Sequence, residues 1–258
     1  MIIKSLKTKK STSLDQLDNY AIKLVADRVA APLHHVITLS ILQEKFPSEW
    51  KKAKIFPLFK KGSEVHKENY HPVSILSPLS RVLEKLVYSQ IYDYFEKHKL
   101  FSSSLHGYRQ NRSTLTALLC LYDKWITVTS NRQIPGIVLV DLSAAFNLGN
   151  PQILLKKLKI YIIQDEMLNW IQRYLTDREQ TVWIDHIFIE FLSSNLGVPQ
   201  GSNLGPLFSD FFVPTTSNYI NESIESYADD STLSASGSKI SFISNRLSED
   251  CSNLSGWM

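Results

Sequence analysis

The sequence predicts an α+β fold, and three observations predict it. Leu79, Val82, Leu83, Leu86, Val87, Ile91, Tyr94 and Phe95 recur at helical spacing with Glu84, Lys85 and Glu96 elsewhere on the wheel, the pattern of a core-packing helix. Ile134 to Leu142 is a run of β-branched and aliphatic residues interrupted near its end by Asp141, as in a buried strand. Ile224 to Tyr227 and Thr232 to Ala235 are short β-prone runs on either side of Asp229-Asp230, which places the two acids at the tip of a hairpin.

Composition sets the bounds. A chain of 258 residues, 43% hydrophobic and 21% charged, can bury a substantial core and is not of the disordered class. The net charge of +3 is too small to name a partner, so the clustering of lysines carries more information than their sum. No run is long and apolar enough for a transmembrane helix, and Met1-Ile2-Ile3-Lys4 lacks a signal-peptide core. The expectation is an intracellular protein, nuclear or cytoplasmic and not secreted, with no membrane partner. Cys120 falls in a helical apolar pattern and Cys251 near the end, so the reading is one core and one surface thiol rather than a disulfide.

Residues 1 to 13, with Lys4, Lys7, Lys9 and Lys10 among serines and threonines, read as a flexible end. Two amphipathic helices follow, around Leu14 to Val25 and Ile37 to Phe46. From Trp50 to Lys61 lysines alternate with apolar residues; a phosphate-facing strand and a solvated edge strand both fit this pattern. Pro72 biases His71 towards extended backbone. Ser113 is a candidate N-cap for a helix carrying Leu115, Leu118, Leu119, Tyr122 and Ile126. Asn150 and Pro151 start another helix, Asp165 a third, and Gln180 to Phe191 reads as a hairpin turning at Asp185-His186.

The chemistry is concentrated in the acids. Asp-Asp at a turn is commonly a solvated turn. An aspartate ending a buried strand is costly unless it has a task. If that strand lies beside the hairpin, Asp141 and Asp229 can hold two divalent ions about 3.5–4 Å apart, with Asp230 adjacent, the spacing of in-line phosphoryl or nucleotidyl transfer. Magnesium suits such a carboxylate site, with Mn2+ as a substitute.

Tyr227-Ala228-Asp229-Asp230, Asp141 followed by Phe146, and Gly197-Val198-Pro199-Gln200-Gly201-Ser202 with Leu204-Gly205-Pro206 resemble reverse transcriptases. More narrowly, Trp50-Lys51 to Lys61-Gly62, Asn69 to Ser74, Gly107-Tyr108-Arg109 and Asp141-Leu142-Ser143-Ala144-Ala145-Phe146 are similar to the polymerase domain of non-LTR, LINE or jockey-like retrotransposons, in order from about residue 46 to 235. The resemblance implies right-hand polymerase fingers and palm with a central antiparallel sheet packed on helices. It divides the chain into a helical lead-in (1–45), fingers (46–130) and a palm (131–258) truncated at its C-terminal end, the thumb missing and no endonuclease preceding. It implies RNA-directed DNA polymerase activity: two-metal transfer of dNTPs to a primer 3′-hydroxyl on an RNA template with a DNA primer.

The same resemblance makes Asp141, Asp229 and Asp230 the catalytic metal ligands. It puts Lys60, Lys61, His71 and Arg109 near triphosphate or template. The backbone at Ser143, Ala144 and Ala145 would lie along the triphosphate, Gln200 against the incoming nucleotide, and Phe146 where a ribose 2′-hydroxyl would sit. Read alone, Phe146 fits a core position as well as a gate, and His71 and Arg109 fit solvated loops. This sequence departs from the family at His71, Asn147 and Asn150, and Ser209, Asp210 and Pro214 are expected to interrupt an apolar helix. Two rival functions fit parts of the pattern: a catalytically inactive transposon remnant that only binds nucleic acid, and a metal-dependent nuclease or phosphotransferase sharing only the carboxylates. Oligomeric state is left open.

Overall fold

A computed structural model of the chain describes residues 2–8, 11–141, 149–161, 163, 165–184, 187–194, 196–212 and 223–257. In chain order the elements are α1 (Asn19–Leu24), α2 (Ala26–Leu42), β1 (Lys52–Phe59), β2 (Tyr70–Ile75), α3 (Pro78–Lys97), α4 (Thr114–Ser130), β3 (Ile134–Asp141), α5 (Pro151–Ile160), α6 (Asp165–Leu175), β4 (Arg178–Ile184), β5 (Ile187–Phe188), β6 (Leu192–Ser194), α7 (Leu204–Phe212), β7 (Ser223–Tyr227), β8 (Asp230–Gly237) and α8 (Ile240–Trp257). The fold is mixed α+β, with sheets packed on helices. It resolves into two compact units, one of Met1–Tyr92 with Asn150–Gly205, the other of Asp93–Gly149 with Pro206–Met258.

The first unit carries a mixed sheet in the order β2-β1-β4-β5, with β6 also pairing β4. β1 runs antiparallel to β2 and parallel to β4. Ala53, Ile55 and Leu76 form a small core over this sheet, backed by Val182. α6 buries Leu168, Trp170, Ile171, Tyr174 and Leu175 on one side; the Trp170 and Tyr174 rings stack, Phe46 meets both edge-on, and Trp170 Nε1 donates to Ser40 Oγ at 3.0 Å. The start of the chain departs from its expected looseness. Ile3 and Leu6 are buried, and Lys7 accepts a 2.8 Å hydrogen bond from Asn19 through its carbonyl, because the apolar residues between the lysines find a core.

The second unit is built on the antiparallel sheet β3-β8-β7. Ile224, Leu233 and Ala235 face α8, packing on Ile243, Leu247 and Leu254 with Val138, Val140 and Cys251 at the margin. α8 comes close because β3 has glycine at 136, where a Cβ would stand 2.2 Å from Ile243 Cγ2. α4 covers the opposite face, where Trp125 Nε1 donates to Ser234 Oγ at 3.3 Å. Its start carries the expected Ser113 cap, completed as a capping box by Thr116.

Two expectations are corrected in this unit. Leu115, Leu118, Leu119 and Tyr122 lie on the exposed side of α4 and take Cys120 to the surface with them, while Cys251 packs beside the core. The helical period holds but the buried side is a different one: Ala117, Leu121, Lys124 and Trp125 face the unit. α7 continues through Ser209 and Asp210, whose side chains do not break it; Ser209 Oγ donates to the Pro206 carbonyl at 2.7 Å, and Phe208 and Phe211 are buried near Phe95 and Phe101. Pro214 lies outside the described residues.

Candidate active site

The β7–β8 hairpin closes in two residues. Tyr227 pairs with Asp230, leaving Ala228 and Asp229 as the turn. Ala228 takes a left-handed φ of 56° while Asp229 does not, the pattern of a turn whose first central residue alone is left-handed, and one that follows the right-handed twist of paired strands. β3 runs alongside β8 in a register that sets Asp141 directly opposite Asp230. Residues opposite each other share a face, so both carboxylates lie on the face away from α8, with Asp229 one residue along at the turn. Asp141 and Asp230 are exposed and Asp229 is half-buried.

The register places these three acids at one end of the sheet. Among the described residues no three Asp, Glu, His or Cys side chains close on a common point as a ready-made metal cage. The donor set consists of hard carboxylate oxygens within reach of solvent, and in kind it fits a hard divalent cation.

Around the turn lies a second layer that the sequence does not announce. Ser104, Leu105 and His106 run parallel to β7: the Ser226 amide donates to the Ser104 carbonyl at 2.9 Å and the His106 amide to the Ser226 carbonyl at 2.8 Å. The buried His106 ring reaches Glu225 Oε2 through Nε2 at 2.9 Å and Thr116 Oγ1 through Nδ1 at 3.1 Å, and Lys124 pairs with the other Glu225 oxygen. Tyr108 follows with a φ of 52°. Burial, then the charges of Asp229 and Asp210, push its hydroxyl above the usual tyrosine range. Asp210 is buried, its Oδ1 has no hydrogen-bond partner, and desolvation holds its carboxyl well above the ordinary range against the pull of Arg109. The signals for this layer in the sequence are the Gly107-Tyr108-Arg109 motif and Glu225, an acid standing inside a β-prone run.

Arg109 belongs to the same unit. Its Nε and Nη2 donate to the two Glu96 oxygens at 3.1 and 3.2 Å, Nη1 donates to the Ser102 carbonyl at 2.9 Å, and its plane lies 5.0 Å over the Phe101 ring. Three of its donors thus brace the unit, a task the sequence does not signal.

Lys60, Lys61, His71 and Gln200 are in the first unit. Lys60 and Lys61 are exposed at the end of the β1–β2 hairpin, where the Lys60 amide donates to the Asn69 carbonyl at 2.8 Å. His71 sits in β2 opposite Leu58. The other lysines of this run have local partners: Lys51 with Asp177, Lys52 with Glu49, and Lys54 over the Trp183 ring. Gln200 precedes Gly201, whose φ is 100° and whose Cβ, if it had one, would stand 2.8 Å from the Ser74 carbonyl. Ser74 in turn donates its amide to the Gln200 carbonyl at 2.9 Å. α3 holds the far side of the loop, with Glu84 Oε2 accepting from the Asn203 amide at 2.8 Å and the Arg81 carbonyl accepting from Asn203 Nδ2 at 2.9 Å. Within this clamped backbone Gln200 Oε1 is buried without a partner, an open acceptor. Ser143, Ala144, Ala145 and Phe146 lie outside the described residues, as does the Asp185-His186 turn. No helix among the described residues is long and apolar enough to cross a membrane.

Comparison with known proteins gives the chain's family. The chain is 28% identical over 99% of its length to the probable RNA-directed DNA polymerase from transposon BS of Drosophila melanogaster, and 25% identical over 99% to the RNA-directed DNA polymerase from mobile element jockey of the same fly. The jockey polymerase of Drosophila funebris is 25% identical over 84%. The chain spans 29% of the length of the first two relatives and 24% of the third. Residues 58–257 match the family model described as reverse transcriptase (RNA-dependent DNA polymerase), a span that includes every candidate residue above, and the chain belongs to the reverse transcriptase family.

Proposed function

We propose that this chain is the fingers and palm of an RNA-directed DNA polymerase of a non-LTR retrotransposon, adding dNTPs to a DNA primer on an RNA template. The observation that carries the reading is the register that sets Asp141 opposite Asp230 with Asp229 at the adjoining turn. Two divalent cations held there, Mg2+ or Mn2+ in its place, would activate the primer 3′-hydroxyl and offset the charge of the leaving pyrophosphate.

The chain's own residues orient the reactants. Asp141 and Asp230 lie on one face of the sheet in reach of solvent, with Asp229 beside them at the two-residue turn. The open acceptor of Gln200 suits a nucleotide sugar or base that brings a donor. Lys60 and Lys61 offer cations to a triphosphate. Phe146, on the resemblance, excludes a ribose 2′-hydroxyl.

Primer extension on an RNA template with dNTPs and Mg2+ tests the proposal, run beside Asp229→Asn and Asp230→Asn and repeated with ribonucleotides. Synthesis that vanishes in both variants and is poor with ribonucleotides is the expected result. Salt-sensitive nucleic-acid binding without synthesis from folded protein would replace the polymerase with an inactive remnant.

A further inference from the structure

The segment Ser104–Tyr108 touches the aspartate turn, and everything that fixes it lies inside the second unit. Ser104 to His106 form an outer partner for β7, which would otherwise be an open edge. The chain then passes so close to the turn that a Cβ at residue 107 would stand 2.3 Å from the Ala228 nitrogen, 3.1 Å from its Cα and 3.3 Å from the Tyr227 carbonyl carbon. All three are backbone atoms, which cannot swing aside as a side chain would.

Strain marks the same contact. Tyr108, next to Gly107, and Ala228, which Gly107 touches, both hold left-handed φ values, at 52° and 56°. For an L-residue this costs about 1–2 kcal/mol each, and it persists only where the surroundings over-determine it. The surroundings here are specific. His106 is 2% exposed and is held on one side by Glu225 of β7 and on the other by Thr116 of the α4 capping box, while Lys124 of α4 completes Glu225. One helix, one strand and the segment are thereby locked to one another three residues before the turn.

We propose that Ser104–Tyr108 is the positioning element of the aspartate turn: Gly107 sets the place of Asp229 by its backbone contact with Ala228, and His106 holds Gly107 there through Glu225. His106 and Gly107 are positioning residues; they act through the turn and need touch neither nucleotide nor primer. The catalytic part of the inference rests on the polymerase reading. Displacing a reacting group by about 1 Å costs on the order of 100-fold in rate, and a two-residue turn has little of its own to prevent such a shift.

The test uses the full chain and three variants, Gly107→Ala, His106→Gln and His106→Ala, with two readouts. Amide NMR shifts of Ala228, Asp229 and Asp230 report the turn directly, and steady-state primer extension reports kcat and the dNTP KM separately. The expected result is displacement of those three amides in the variants that fold, with kcat down about 100-fold and KM within a few-fold. His106→Gln, which keeps a donor, should lie between wild type and His106→Ala. Unmoved amides in a folded variant overturn the proposal whatever the activity. So do moved amides with kcat unchanged, because the turn's placement would then not matter. An inactive wild type would defeat the polymerase reading alone, and the amide shifts would still decide whether the segment positions the turn.

Discussion

Glu84 in the first unit and Glu225 in the second are both buried glutamates, and each fastens a backbone segment of its own unit. They do so by different chemistry. Glu84 accepts from neutral donors, the hydroxyls of Ser80 and Tyr174 and the Asn203 amide, and desolvation pushes its carboxyl above the ordinary range despite them and the charges of Arg178 and Arg81. Glu225 pairs with the half-exposed Lys124 ammonium and the buried His106 ring. The contribution of the first changes with pH, whereas removal of the second leaves a buried histidine without that partner. Neither resembles Asp141 or Asp230, which are left in reach of solvent.

The largest expected effect separates those two classes. Asp141→Asn or Asp229→Asn should lower primer extension by about 1,000-fold or more with the melting temperature within a degree or two of wild type, and a large loss of stability would place these acids with the structural group. Glu225→Ala should destabilise by about 1–3 kcal/mol in denaturant unfolding, since it leaves the buried His106 Nε2 without its partner.

Changes at Glu84 sharpen the contrast between the two glutamates. Glu84→Ala should cost about 3 kcal/mol by leaving the Asn203 amide without its acceptor, and Glu84→Gln, which keeps one acceptor oxygen, should cost less at neutral pH. Because the folded-state pKa of Glu84 is raised, its contribution is full at low pH and is lost as pH rises through that value; the Gln variant should abolish this slope. Lys157 on α5 has the opposite sign. Burial lowers its ammonium from 10.5 to about 7, so the unfolded chain binds the proton more tightly and stability should rise with pH above 7, by at most about 1.4 kcal/mol per pH unit. Lys157→Met should flatten that rise in melts between pH 7 and 9.5. Least of all, Thr116→Val should cost about 1 kcal/mol by removing both a cap and the hydroxyl beside His106 Nδ1.

Much of this is legible in the sequence, for physical reasons that can be named. α3, α5 and α6 are readable because their periods and caps are local, as with Asn150 Oδ1 accepting from the Gln152 amide. The convergence of Asp141 with Asp229-Asp230 is readable because a carboxylate at the end of an apolar strand gains nothing from packing there. The buried side of α4 is not, since an apolar stripe gives a helix its period without saying whether anything covers it. Nor are Gly107 and His106, whose meaning depends on contacts with residues more than a hundred positions downstream. The parallel pairing of β1 with β4 is hidden in the same way, because no turn between the two strands announces it.

That pairing has a consequence for biosynthesis. Lys52 emerges from the ribosome long before Glu179, its partner across β1 and β4, and Ser104 likewise precedes Ser226. Each unit is closed by its second stretch, so neither sheet can be completed in the order in which it is made. A nascent chain halted between residues 150 and 178 would present β1 with one edge unpaired, and the stage at which this protein is most exposed to mispairing or to chaperones is set by its topology rather than by its final stability.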